Sequence, residues 1–156
     1  MNKKKILGID YGDFSIGLAI FDEETDFTFP YKTIFRAKAN VLRKSIREIV
    51  EIIKLENITD IVIGLPLNAD GTEGERVDKV KNFDQMLKNA IKNSDVNVAK
   101  IDFMDERLTT VEAKSILAEK KIKKSEWKKS IDQIAAELIL KDYVREKKCQ
   151  KKKQTQ

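Results

Sequence analysis

Two stretches near the start of the chain decide the fold: Ile6-Leu7-Gly8-Ile9-Asp10-Tyr11-Gly12 and Ser15-Ile16-Gly17-Leu18-Ala19-Ile20. Both are short apolar runs, and a glycine marks a tight turn between them, so they predict two adjacent antiparallel strands of a buried sheet. Asp10 places one carboxylate in the middle of this apolar context. Because a buried anion is costly without a partner, Asp10 indicates a site where other groups or a cation meet it.

The remaining sequence continues with strand and helix patterns. Predicted strands cover 5–11, 15–21, 27–35, 60–65 and 96–104, and predicted helices cover 39–55, 75–91, 109–117 and 130–145. The first three strands follow one another directly, which indicates antiparallel pairing, whereas alternation of strands and helices in the second half indicates parallel pairing. We therefore expect an α/β fold with a mixed five-stranded sheet flanked by helices.

The length of 156 residues predicts one domain, which we place at 1–146. The Lys-rich segment 118–129 is expected to form a solvated loop or a short helix. The Lys- and Gln-rich end, 147–156, is predicted to be a basic, disordered tail.

The composition excludes several kinds of catalytic site. The chain has no histidine, which removes Ser-His-Asp and Cys-His arrangements and His-ligated zinc. Cys149 is the only cysteine, so an intrachain disulfide and a Cys-rich zinc site are excluded. Catalysis by this chain would therefore depend on carboxylates and a hard metal ion.

The hydropathy of the sequence predicts a cytoplasmic protein without a membrane partner. No apolar run approaches the roughly 18 residues that are needed to cross a bilayer. The first residues, 1–5, are polar and basic and lead into a strand rather than into the apolar region of a signal sequence.

Charge is distributed unevenly along the chain. Residues 1–118 carry 18 basic and 20 acidic side chains, whereas 119–156 carry 13 basic and 6 acidic ones. The basic end could hold phosphates while the acidic part holds cations. The alternative is that the Lys-rich end is only a solvated helix and tail, and charge alone does not decide between them.

Two further acids are expected to lie near Asp10. Glu106 follows the last predicted strand, and Asp132 falls in the first turn of the last predicted helix, where the helix dipole favours an anion. Ligands of α/β sheets gather beyond the carboxyl ends of the parallel strands, which is where Glu106 should lie. We therefore predict that the three acids converge as catalytic residues and bind two Mg²⁺ or Mn²⁺ ions for phosphodiester hydrolysis.

Each of these acids also has an ordinary structural explanation. Asp10 could accept hydrogen bonds from the following turn, Glu106 could pair with Arg107 at the surface, and Asp132 could serve only as a helix-start anion. Asp105 is next to Glu106, but alternation along a strand sends the two side chains to opposite faces. The joint arrangement of the three acids supports a site more strongly than any one of them.

Four stretches, taken together, resemble the YqgF family in the same order along the chain. They are Ile9-Asp10-Tyr11-Gly12-Asp13 with Ile16-Gly17, Gly64-Leu65-Pro66-Leu67-Asn68 with Gly71-Thr72, Asp105-Glu106-Arg107-Leu108-Thr109-Thr110, and Ile131-Asp132-Gln133-Ile134-Ala135-Ala136. This family of small bacterial proteins is related to the Holliday-junction resolvase RuvC. The resemblance implies a ribonuclease H-like fold, a nuclease that processes the precursor of 16S ribosomal RNA, and Asp10, Glu106 and Asp132 as the catalytic acids. An earlier interpretation of the family is a junction resolvase.

The chain departs from the family pattern directly after Gly12. Many members carry Thr or Ser followed by basic residues there, whereas this chain has Asp13-Phe14-Ser15. Because positive charge is lost next to the predicted metal site, we expect other cations to hold the substrate backbone. These nucleic-acid-binding candidates are Arg76, Arg107, Lys128 and Lys129.

Two other classes of protein share part of this pattern. A non-catalytic RNA- or ribosome-binding module would keep the fold and use the basic end. A nucleotide phosphotransferase is the second, since Asp10-Tyr11-Gly12 resembles the phosphate loop of actin-like and sugar-kinase ATPases, although one short domain does not supply the two lobes those enzymes need. The expected partners are nucleic acid, as precursor ribosomal RNA or branched DNA, and ribosomal particles. A symmetric junction substrate would also favour a homodimer.

Overall fold

The computed structural model describes residues 3–36, 41–106 and 109–154. Its strands are β1 (Lys5–Tyr11), β2 (Ser15–Asp22), β3 (Phe27–Phe35), β4 (Asp60–Leu65) and β5 (Lys100–Asp105). Its helices are α1 (Leu42–Leu55), α2 (Glu75–Lys92), α3 (Thr109–Glu119) and α4 (Lys124–Gln154). The strands form one sheet in the order β3-β2-β1-β4-β5. Strand β1 is antiparallel to β2 and parallel to β4, so the predicted mixed five-stranded sheet is confirmed.

One face of the sheet packs against α1 and α2. Leu7 and Ile9 of β1 are fully buried on this face, together with Ile49 of α1 and Phe83 of α2. Fully burying a side chain of this size contributes about 1.5–3 kcal/mol. The helical spacing of the apolar residues in α1 and α2 therefore produces the larger of the two hydrophobic cores.

The opposite face packs against α4 and contains glycines where the helix crosses it. A Cβ atom on Gly8 would lie 2.5 Å from Cγ of Leu140, and one on Gly64 would lie 2.5 Å from Cδ1 of Ile139. A Cβ atom on Gly17 would lie 2.0 Å from the carbonyl oxygen of residue 132. Because these strand positions lack a side chain, α4 lies directly against the sheet backbone.

The start of the last helix differs from the sequence prediction. Helix α4 begins at Lys124, before the predicted start at Ser130, so Asp132 is its ninth residue and lies in the third turn. The prediction of a helix-start anion is therefore wrong, because the helix dipole acts mainly within the first turn. Lysine is a good helix former, which allows the Lys-rich segment to extend the helix. Trp127 closes the preceding turn by donating from Nε1 to the carbonyl oxygen of Ile122, at 2.8 Å.

The end of α4 and the start of β5 also differ from the predicted bounds. Helix α4 continues to Gln154, so residues 147–154 are helical where a disordered tail was expected. The division into a domain over 1–146 and a tail over 147–156 stays a prediction. Strand β5 begins at Lys100 instead of residue 96. Within the described ranges, none of the helices is long and apolar enough to cross a membrane.

Candidate active site

Strands β1 and β5 and helix α4 bring three acids to one face of the sheet. Asp10, near the end of β1, pairs with Gly17 of β2 in the sheet register. Glu106 directly follows β5, and a Cβ atom on Gly64 would lie 2.8 Å from its carboxyl carbon. A Cβ atom on Gly17 would lie 2.7 Å from Cβ of Asp132. The two glycines therefore make room for the acids on either side of Asp10.

The carboxyl groups of Asp10 and Glu106 are hydrogen-bonded to each other. Burial, with a further contribution from the charge of Asp132, raises the pKa of Asp10 to about 6. The hydrogen bond to Glu106 and the charge of Arg76 act on that pKa in the opposite direction. Burial and the charge of Asp10 raise the pKa of Glu106 to about 10. Because two buried carboxylates in contact disfavour double ionisation, the pair retains a shared proton at neutral pH.

Asp132 is hydrogen-bonded to a residue that the sequence reasoning did not identify. Ser15 of β2 donates from Oγ to Oδ2 of Asp132. Burial raises the pKa of Asp132, while this hydrogen bond acts to lower it. Ser15 is two residues before Gly17, and alternation along β2 puts both on the face that carries Asp10. That spacing is the signal that could have predicted Ser15 as part of the site.

The chemistry of the three acids fits a hard divalent cation. Asp10, Glu106 and Asp132 offer only carboxylate oxygens, which are the ligands that Mg²⁺ and Mn²⁺ prefer. The raised pKa values of all three indicate buried negative charge that a cation would neutralise. In the part of the chain that the structure describes, no group of three or more acidic, His or Cys side chains is close enough to hold a metal ion. Asp10 and Glu106 contact each other, whereas the Asp132 carboxylate is directed to Ser15.

Two of the four residues that were predicted to bind nucleic acid have described side chains. Arg76 lies in the first turn of α2, and its charge acts to lower the pKa values of Asp10 and Glu106, so it is close to the pair. Lys128 is exposed one helical turn before the acid on α4. Arg107 and the side chain of Lys129 lie outside the described residues.

Two basic residues that the sequence reasoning did not assign to the site, Arg36 and Lys79, contact the turn after β1. Arg36, which is buried, donates from Nη2 to the carbonyl oxygen of Gly12 and lies 5.1 Å from the ring centre of Tyr11. Oδ2 of Asp13 forms an ion pair with Nζ of Lys79 in α2, at 3.0 Å. The acidic residue that departs from the family pattern is therefore neutralised by a lysine of the neighbouring helix.

The fold is similar to that of solved junction-cleaving enzymes. One is Thermus thermophilus RuvC in complex with a Holliday junction substrate, with a TM-score of 0.51, 13% identity and coverage of 91% of this chain and 95% of that chain. Another is the fowlpox virus Holliday junction resolvase, with a TM-score of 0.51, 15% identity and coverage of 91% and 99%. At this identity the similarity concerns the fold alone, and it confirms the predicted ribonuclease H-like class. The fold therefore defines a protein of the ribonuclease H-like class.

The sequence comparisons narrow this class to one family. The family model described as "RuvX: Holliday junction resolvase" matches residues 4–146. A relative from Carboxydothermus hydrogenoformans is 40% identical over 140 residues, which cover 90% of this chain and 95% of the relative. A relative from Acetivibrio thermocellus is 42% identical over 141 residues, with coverage of 90% and 94%. Both relatives carry the name "Putative pre-16S rRNA nuclease". The chain belongs to the RuvX (YqgF) family, and the predicted enzyme class, a hydrolase of phosphodiester bonds, is confirmed.

Proposed function

We propose that this protein is a divalent-metal-dependent nuclease that processes the precursor of 16S ribosomal RNA. The observation that carries the proposal is the buried, hydrogen-bonded pair of Asp10 and Glu106, with Asp132 on the same face of the sheet. The names of the relatives support the RNA substrate, since their identity extends over nine-tenths of this chain.

The three acids would hold the metal ions, and we assign them different roles. Asp10, between the other two, would help to hold both ions, while Glu106 and Asp132 would each help to hold one. The chemistry that bound Mg²⁺ or Mn²⁺ supplies is the activation of a water molecule and the neutralisation of charge on the scissile phosphodiester. The proton shared by Asp10 and Glu106 must leave before both carboxylates can act as ligands.

The cations near the site would hold the nucleic-acid backbone. Arg76 is close enough to affect the carboxyl pair, and Lys128 lies one turn from Asp132 on α4. Arg107 follows Glu106 in the sequence and Lys129 follows Lys128, and both are proposed for the same role. Contacts of this kind position the substrate without reading its sequence.

Cleavage of a four-way DNA junction is the second candidate function. The description of the matching family model favours it, and that substrate would call for a homodimer. A non-catalytic RNA-binding module is the third candidate, supported by the basic residues of α4. For the RNA nuclease we further propose a cytoplasmic location and ribosomal particles as partners.

A side-by-side cleavage assay separates these functions. A precursor 16S ribosomal RNA fragment and a four-way DNA junction are each incubated with the protein and Mg²⁺ or Mn²⁺. We expect metal-dependent cleavage of the RNA. The cleavage rate should fall about a hundredfold or more in Asp10→Asn and Glu106→Gln, because metal catalysis lowers the activation free energy by several kcal/mol. Asp105→Asn is the matched control, since Asp105 adjoins Glu106 but belongs to the other face of the sheet.

Each result of the assay favours one candidate. Cleavage of the junction alone would support the resolvase. Binding without cleavage under either metal would support the non-catalytic module. Full RNA cleavage by Asp10→Asn would contradict the assignment of the catalytic acids.

A further inference from the structure

Arg36 directly follows β3 and is a buried cation, with 7% of its surface exposed. Its guanidinium group donates from Nη2 to the carbonyl oxygen of Gly12 and lies 5.1 Å from the ring centre of Tyr11. Its backbone amide donates to the carbonyl oxygen of Phe14 at 2.7 Å. Burying a charged group is costly unless hydrogen bonds compensate for the lost water. One arginine therefore holds the turn after β1 through its side chain and its backbone at once.

Tyr11 is held by two groups on the face of the sheet that packs against α1 and α2. The ring of Phe83 in α2 stacks on the Tyr11 ring at a centroid distance of 4.6 Å, and the guanidinium group of Arg36 contacts the same ring. Consecutive side chains of a strand project to opposite faces, so the Asp10 carboxylate lies on the other face of the same backbone. Arg36 therefore acts on the position of Asp10 through the backbone of β1.

The same turn also carries the group that holds Asp132. The amide of Gly12 donates to the carbonyl oxygen of Ser15 at 2.9 Å, and Ser15 donates from Oγ to Oδ2 of Asp132. The carbonyl group that Arg36 contacts is thus two residues after Asp10 and three residues before Ser15. A shift of this turn would change the positions of both acids.

We propose that Arg36 is a positioning residue of the active site, which holds the turn at Gly12 so that Asp10 and Asp132 can bind the same metal ions. This inference rests on the proposed function, since it concerns the acids that would hold the metal. Groups that orient metal ligands from outside the coordination shell typically contribute about 10- to 100-fold in metal affinity or activity. Because Arg36 is buried, we expect it to make no contribution to RNA binding.

Calorimetric titration with Mn²⁺ alone tests this role without RNA. Arg36→Met keeps a long side chain but removes the charge and the donors, so it should weaken Mn²⁺ binding about 10- to 100-fold. Arg36→Lys keeps the charge and one donor group, and its affinity should lie between those of Arg36→Met and the parent. Single-turnover RNA cleavage should follow the same order. RNA affinity, measured by fluorescence anisotropy in a chelator, should be the same in all three proteins.

Ile53→Val separates this role from a general loss of stability. Ile53 is a buried residue of α1 and packs in the core rather than against the turn, so removing one methyl group lowers stability alone. This variant should bind Mn²⁺ and cleave RNA like the parent. Thermal unfolding of each variant verifies that it is folded at the temperature of the titration.

Amide hydrogen exchange reports on the turn itself, with no metal present. The Gly12 amide donates to Ser15, so its exchange rate measures how often the turn opens. In Arg36→Met this rate should rise by a larger factor than that of the Ile49 amide in α1, whose exchange follows global unfolding.

The inference is overturned if Arg36→Met binds Mn²⁺ as tightly as the parent, or if Ile53→Val loses as much affinity. Where Arg36→Met does not fold, Arg36→Lys takes its place, and an affinity equal to that of the parent overturns the inference. Failure of the proposed function has a different signature: the parent would not cleave the precursor RNA, while the titration would still measure the effect of Arg36 on Mn²⁺ affinity. A parent that binds no Mn²⁺ would overturn both.

Discussion

At the scale of single residues, the site consists of carboxyl groups whose charges are only partly compensated. Asp10 and Glu106 retain a shared proton, while Asp132 accepts a hydrogen bond from Ser15. This hydrogen bond opposes the effect of burial on the pKa of Asp132, so it helps to keep that carboxylate ionised. Ser15 therefore acts on the site through Asp132.

Replacing Ser15 tests this positioning role. Ser15→Ala removes the donor to Asp132, so we expect RNA cleavage to fall about tenfold and the free energy of unfolding to fall by about 1 kcal/mol. Ser15→Thr keeps a hydroxyl donor and should retain most of the activity. The measurements are single-turnover cleavage and chemical denaturation. Unchanged cleavage in Ser15→Ala would show that this hydrogen bond does not orient the acid.

At the scale of secondary-structure elements, the approach of α4 to the sheet builds the site. Glycines of β1, β2 and β4 lie under this helix, and the space they leave is filled by its backbone and side chains. A helix held farther from the sheet would carry Asp132 away from Asp10. Close packing of α4 is therefore a requirement of the site and of the second hydrophobic core alike.

Gly17→Ala should disturb this packing directly. The new Cβ atom would lie 2.0 Å from the carbonyl oxygen and 2.2 Å from the carbonyl carbon of Asp132, so the helix must shift. We expect a loss of about 1–3 kcal/mol in the free energy of unfolding, as for other overpacked sites, and a drop in cleavage. Thermal unfolding and cleavage rates measure the two effects.

Gly74→Ala is the control for this substitution. A Cβ atom there would meet only the end of the Asn68 side chain, at 3.2 Å, and that side chain can move. An equal loss of stability in Gly17→Ala and Gly74→Ala would contradict the proposed importance of close helix packing.

At the scale of the whole molecule, the buried acids link folding to pH. The pKa of Asp10 rises from 3.8 to about 6 and that of Glu106 from 4.5 to about 10 on folding, so the folded protein binds protons more tightly than the unfolded chain. The contribution of these two groups to the free energy of unfolding is fully present below pH 3.8. It is lost as the pH rises towards 6 for Asp10 and towards 10 for Glu106. The free energy of unfolding should fall by up to about 1.4 kcal/mol per pH unit for each group that is protonated only in the folded state, which is both acids near pH 5 and Glu106 alone between pH 6.5 and 8.

Thermal unfolding at pH 5, 6.5 and 8 in a chelator, and again with Mg²⁺, measures this linkage. Mg²⁺ should raise the melting temperature more at pH 8 than at pH 5, because a bound cation takes the place of the retained proton. Glu106→Gln should flatten the dependence on pH in the chelator. A melting temperature that Mg²⁺ leaves unchanged at both extremes would argue against a metal site at these acids.

Much of the fold could be predicted because its signals are local. The apolar runs of β1, β2 and β4 and the helical spacing of α1 and α2 predicted these elements close to their observed bounds. The start of α4 was missed because lysines suit a solvated loop and a solvated helix equally well. The assignment of Asp10, Glu106 and Asp132 as catalytic residues came from the sequence and stays a prediction.

The sequence by itself determined the class of the sheet, the family, and which acids can lie at its carboxyl edge. Tertiary structure alone decided that Asp10 contacts Glu106, that Ser15 meets Asp132 from 117 residues away, and that Arg36 braces the turn at Gly12. The physical reason is the range of the interactions. Periodicity and turn residues act over a few neighbours, whereas these contacts depend on the strand register and on how closely α4 approaches the sheet.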